Sequence, residues 1–180
     1  MKGKRILHKY KYLYIDGYNF LNSIGGFDGK VAGALEEGRR ALVETLIEYQ
    51  AYSGERIFLV FDAYTIKGFK AKIEKHNQIE VVFTKEFQTA DSYIEIEVEK
   101  VAKDPKNLVR VVTSDWAEQQ IVLGSGAIRI SPREFSWELD KMKQHIKKDY
   151  IEVTKQKNQI EESLPIKVLE ALEKWRKANS

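Results

Sequence analysis

With 180 residues, 43% hydrophobic and 32% charged, the chain can bury a core unaided and is too apolar to be disordered. The absence of cysteine excludes disulfides, thiolate metal sites and cysteine nucleophiles, and the densest apolar run, Ile57 to Phe61, is far too short to cross a bilayer. The net charge is a mild +3, and Met1 to Tyr14 lacks the apolar stretch and cleavage site of a secretory signal, so a cytoplasmic protein with no membrane partner is expected.

Tyr12 to Ile15 is a short β-rich run, and Asp16-Gly17 reads as the turn that ends it. Asn22 to Gly29 is polar and Gly-rich, hence a loop. From about Ala32 to Tyr52, Leu35, Leu42, Leu46 and Tyr49 recur at helical spacing among Arg39, Arg40, Glu44 and Glu48, an amphipathic helix closed by Ser53-Gly54. Ile57 to Phe61 is a strand covered on both faces, and it stops at Asp62. Thr65 to Asn77 is polar and basic, with room for a short helix, and Ile79 to Phe83 is a third strand. Thr89 caps a helix to Lys103 whose apolar stripe is Ile94, Val98 and Val101. Leu108 to Val112 is a fourth strand running into Thr113-Ser114-Asp115, followed by a helix from about Trp116 to Leu123 and a fifth strand, Ala127 to Ile130. Ser131-Pro132-Arg133-Glu134 is a capping box that opens a long charged helix to Glu162, and Pro165 begins a last short one. Trp137 and Trp175 read as packing residues. The alternation of strands and helices predicts an α/β fold with a mostly parallel, five-stranded sheet covered on both faces.

Chemistry enters at the strand ends. Asp16, Asp62 and Asp115 each follow an apolar strand, and Asp91 opens the helix after the third. Singly, each has an ordinary explanation: Asp16 a turn, Asp62 a strand end, Asp91 a favourable place beside a helix dipole, Asp115 a cap. Jointly they share one property. In a parallel sheet all carboxyl ends lie on one edge, where ligands bind. Carboxylates gathered there either hold protons at raised pKa or collect a hard divalent cation such as Mg²⁺ or Mn²⁺. No Cys or His cluster points to zinc, no nucleophile elbow to a serine hydrolase, and no glycine loop to a nucleotide cradle.

Asp16-Gly17-Tyr18-Asn19-Phe20 resembles the opening motif of NYN domains, a branch of the PIN-like ribonuclease superfamily. Phe58 to Ala63, Thr89 to Glu95 and Val112 to Asp115 resemble the second, third and fourth motifs, and their order and spacing are similar to those of bacterial YacP-type NYN proteins over about Tyr12 to Leu139. The resemblance implies a three-layer α/β/α PIN-like fold divided into a basic leader (1–11), a nuclease domain (12–140) and a helical C-terminal extension (141–180). It implies a metal-dependent endoribonuclease acting in mRNA decay or processing, with some family members linked to the ribosome. Carried over, Asp16, Asp91 and Asp115 are the main ligands of Mg²⁺ or Mn²⁺. Asp62 is a ligand or a supporting carboxylate, and Asn19 orients a ligand, a water or a phosphate. Glu95, one helical turn beyond Asp91, either joins the site or pairs with Lys100 or solvent. Arg39, Arg40, Lys67, Lys70 and Lys72 are candidate contacts to RNA phosphates. Tyr18 is a candidate platform for an unpaired base, while Phe20 reads as core. Ser114 either bonds a phosphate or caps the next helix. Two other readings stand beside this one: a non-catalytic RNA-binding module on the same fold, and a metal-dependent phosphatase acting on small nucleotides.

Overall fold

The computed structural model describes residues 10–25, 34–62, 71–114, 124, 126–163 and 177. The helices expected over 116–123 and after Pro165, Trp175 and most of the basic leader lie outside them.

Among the described residues six strands form one sheet: β1 (Tyr10–Asp16), β2 (Arg56–Phe61), β3 (Lys72–His76), β4 (Ile79–Phe83), β5 (Asn107–Val112) and β6 (Ile128–Ile130). Their order is β3-β4-β2-β1-β5-β6, parallel throughout except for β3. The expected strand count of five is therefore one short. β3 lies within the segment read as polar with room for a helix. Its sequence, Lys-Ile-Glu-Lys-His, carries the charges typical of an edge strand, and these hide the alternation. Asn77, at φ 55°, turns the chain back into β4, a conformation that Asn tolerates better than most residues.

Four helices accompany the sheet among the described residues: α1 (Gly17–Ser23), α2 (Ala34–Ser53), α3 (Ala90–Ala102) and α4 (Pro132–Ser163). The chain leaves β1 through α1, where a turn was expected. Its seven residues are too few to show a helical period, and it begins on a glycine. The chain divides into two compact units, Met1–Leu139 and Asp140–Ser180. The sheet, α1 to α3 and the first turns of α4 belong to the first unit; the second carries the rest of α4.

Side chains alternate across the strands, so each strand feeds two cores. On one face Tyr14, Val60, Val82, Val109 and Val111 pack against Ala90, Ile94 and Val98 of α3. The opposite face presents Leu13, Ile15, Ile57, Leu59 and Phe61, all fully buried. There Phe135 of α4 meets Phe20 of α1 and Tyr49 of α2 edge-on, at 5.5 and 5.2 Å between ring centroids. Fully burying a side chain of this size stabilises the fold by about 1.5–3 kcal/mol. Trp137 departs from its expected packing role. It is 54% exposed, with the Arg133 guanidinium 5.1 Å from its ring centroid.

One polar group interrupts the second core. Arg110, in the middle of β5, donates to Glu55 at 3.0 Å, to Glu138 of α4 at 2.6 Å and to the Tyr49 hydroxyl at 3.3 Å. Glu55 is 3% exposed, so its charge depends on that guanidinium.

From β1 the chain moves outward to β2 and β4; after α3 it crosses to the other side of β1 and continues to β5 and β6. The carboxyl ends of β1 and β5 thus flank the topological switch point, where open α/β sheets bind ligands.

Candidate metal centre

Each residue of the Asp-Gly-Tyr-Asn motif has a structural task at that edge. Asp16 ends β1 and caps α1, its Oδ1 accepting the Asn19 N–H at 2.9 Å. A Cβ on Gly17 would lie 2.2 Å from the Phe61 ring, so only glycine lets α1 start this close to β2. The Tyr18 ring packs 5.0 Å from that of Phe61, and its hydroxyl accepts from Arg39 Nη1 at 3.0 Å. Asn19 Oδ1 accepts from Ser114 Oγ at 2.8 Å and from the Ser114 N–H at 3.3 Å, joining α1 to the end of β5.

The N-terminus of α3 arrives at the same edge because β4 ends there. Thr89 caps it, Oγ1 accepting the Ser92 N–H at 3.1 Å, and Asp91 sits in the first turn. Asp16 and Asp91 are brought within hydrogen-bonding range. Burial pushes the Asp16 carboxyl up to about 6; the Asn19 N–H opposes this, and the charge of Asp91, a hydrogen bond shared with it, and the charge of Asp62 add to the rise. A carboxyl pushed up by a neighbouring carboxylate is the expected signature of two such groups crowded together without a cation.

Asp62 follows β2, and its Oδ1 accepts from Thr84 Oγ1 at 3.3 Å. Thr84 is fully buried and holds the same place after β4 that Asp62 holds after β2. Sequence reasoning that followed only carboxylates missed it, although its position just beyond an apolar strand was the available signal. Asp62 acts on Asp16 through its charge. Among the described residues, no three His, Cys, Asp or Glu side chains lie close enough to hold an ion between them. A pair with a third carboxylate nearby still fits Mg²⁺, which commonly takes one or two carboxylates and completes its shell with water and phosphate oxygens.

The other expected site residues divide. Asp115, Lys67 and Lys70 lie outside the described residues. Glu95 is exposed on α3, and Lys100 pairs with Glu97, at 2.7 Å, rather than with it. Arg39 bonds Tyr18 and Glu36 and lies over two phenylalanine rings; Arg40 is exposed; Lys72 is exposed and paired with Glu74 at 2.7 Å. Tyr18 is half-buried, Phe20 fully buried, and Ser114 exposed with its hydroxyl on Asn19.

An α/β/α sandwich with paired carboxylates at its switch point, braced by Asp-Gly-Tyr-Asn, is an architecture of the PIN-like nuclease class. The chain belongs to the YacP-like NYN domain family, whose model matches residues 13–177. It is 36% identical to the Bacillus subtilis protein YacP over 170 residues, covering 93% of this chain and 97% of that one. Two crystal structures of Rae1 (YacP) from Bacillus subtilis are similar. One, a single-substitution variant, has TM-score 0.68 at 33% identity, over 81% of this chain and 84% of that one. The other has TM-score 0.61 at 35% identity, over 93% and 95%. The family is related to PIN-like nucleases, which usually employ divalent metals. Among the described residues no helix is long and apolar enough to cross a membrane.

Proposed function

We propose that the protein is a divalent-metal-dependent endoribonuclease that hydrolyses RNA phosphodiester bonds. The observation that carries this reading is the meeting of the Asp16 and Asp91 carboxyls at the switch point, in an environment that resists two bare charges. Asp16, Asp91 and Asp115 hold the ion, and Asp62 adds negative charge from the end of β2. When bound, Mg²⁺ or Mn²⁺ supplies water of lowered pKa and neutralises charge developing on the phosphoryl oxygens.

The chain's own residues do the positioning. Asn19 ties the end of β5 to α1 through Ser114, so the strand ends that carry the acidic groups are held in register. Thr84 fixes the rotamer of Asp62. Lys72, exposed and paired with Glu74 at the rim, offers charge that a backbone phosphate can share, a contact that weakens as salt rises. Messenger RNA as substrate, and attachment to the ribosome, follow from the family resemblance and complete the reading.

The test is incubation of purified protein with mixed RNA in Mg²⁺, in Mn²⁺ and in EDTA, beside Asp16→Asn and Asp91→Asn. Internal cleavage with metal, abolished by EDTA and by both substitutions while folding is retained, is expected. Metal-independent RNA binding unchanged in both variants, with no cleavage, would assign a binding module instead. Hydrolysis of mononucleotides alone would assign a phosphatase.

A further inference from the structure

Beside the carboxylate pair, on the face of the sheet opposite α3, a cavity of about 210 Å³ opens between α2 and the strands β2, β3 and β4. Its base is apolar: Phe61, Val81 and Phe83, with Val43 of α2 above. The Phe61 and Phe83 rings stack at 5.7 Å and 24°, and the Arg39 guanidinium lies 5.9 and 5.7 Å from their centroids. Arg39 is held there from two sides, by the Tyr18 hydroxyl and by Glu36. Glu74 of the edge strand, one oxygen of which pairs with Lys72 at 2.7 Å, brings an acceptor to the wall, and Arg40 of α2 and His76 of β3 bring donors. Phe61 also links the cavity to the carboxyl edge of the sheet. Its ring packs beneath Gly17, next to Asp16, and Asp62 is the following residue.

We infer that this cavity receives one unpaired nucleobase of the bound RNA strand, with guanine preferred. The inference deepens the nuclease reading and rests on it for the position of the strand. Size points to a single ring system, since pockets for drug-sized ligands run to about 300–1,000 Å³. The lining suits a flat aromatic group, because the Arg39 guanidinium, seated over Phe61 and Phe83, presents a planar cationic surface and the half-buried Phe83 ring an apolar one. Charge chooses among the bases. A carboxylate is an acceptor only, and guanine alone presents two adjacent N–H donors, N1–H and the N2 amino group, on its pairing edge. Guanine O6 and N7 are in turn the acceptors that arginine takes. Uracil and cytosine offer no such donor pair.

Labelled penta-uridine RNAs carrying a single G, A or C, measured by fluorescence anisotropy in EDTA, separate binding from hydrolysis. One guanine should tighten binding about tenfold over uridine alone. Glu74→Gln should bring that advantage below about twofold with unchanged thermal stability. Val43→Trp, which fills the cavity, should do the same; Glu74→Gln, on an exposed edge, keeps the test open should the tryptophan variant fail to fold. Equal binding of all four RNAs, no binding, preference for another base, or a guanine preference that survives Glu74→Gln overturns the assignment. Base-selective binding without Mg²⁺-dependent cleavage removes the nuclease reading and leaves the pocket. Cleavage without base selectivity does the reverse.

Discussion

Replacing Asp16 by Asn should make the metal-free protein more stable while removing its activity. In an unfolded chain this carboxyl ionises near 3.8, but in the fold it holds its proton to about 6. The native state therefore binds the proton more tightly than the unfolded one. Stability from this group is complete below about pH 4, falls as pH rises through 6, and stays at the lower level beyond. At 1.36 kcal/mol per pH unit the full loss is at most about 3 kcal/mol, part of it shared with Asp91. Asn keeps an oxygen to cap α1, since Asn and Asp cap equally well, and its amide can donate to Asp91. Thermal unfolding in EDTA at pH 8 should show Asp16→Asn melting higher than wild type by about 4–8 °C, given about 2–4 °C per kcal/mol for a chain of this size. The gap should close as pH approaches 4. Millimolar Mg²⁺ should raise the wild-type midpoint by mass action and move the variant much less. A variant that melts lower than wild type at pH 8, with a deficit independent of pH, refutes the reasoning.

Three further outcomes test the scaffold. Gly17→Ala should lower stability by about 1–3 kcal/mol in urea unfolding, with part regained in Gly17→Ala/Phe61→Leu, because the added methyl meets the Phe61 ring; additive effects would show that the contact is not the cause. Arg110→Met should cost about 3–5 kcal/mol, since it strands the buried Glu55 charge, and adding Glu55→Leu should recover most of it. Asn19→Ala should slow Mg²⁺-dependent RNA cleavage about tenfold or more while the midpoint barely moves, because the backbone N–H on Asp16 survives and only the tie to Ser114 is lost; an unchanged rate would leave Asn19 a purely structural link.

The sheet's centre was legible because Leu13 to Ile15 and Ile57 to Phe61 are apolar on both faces, as a doubly covered strand needs, and Leu108 to Val112 is apolar but for Arg110. The approach of Asp16 and Asp91 was legible for a geometric reason: parallel strands align their carboxyl ends. What sequence hid was contact between side chains far apart in the chain. Nothing in Gly17 announces the ring of Phe61, and nothing in Arg110, a lone cation inside a strand, announces Glu55 and Glu138. Arg39 looked like a surface cation for phosphate, yet the fold seats it on Phe61 and Phe83, and the cavity there comes from three strands and a helix that no local pattern links. α1 and β3 escaped because one is too short to show a period and the other is masked by its own charges.

Those same charges bear on what the rim of the sheet offers to other chains. Among the described residues, the sheet ends at β3 on one side and at the three-residue β6 on the other. A free strand rim is a template onto which a second polypeptide can zip. One rim here is too brief to recruit a partner, and the other carries Lys72 and Lys75, 62% and 70% exposed, which any incoming backbone would have to strip of water. Exchanging those two lysines for valine would leave the interior untouched and make that rim prone to pairing with other chains in fibrous aggregates.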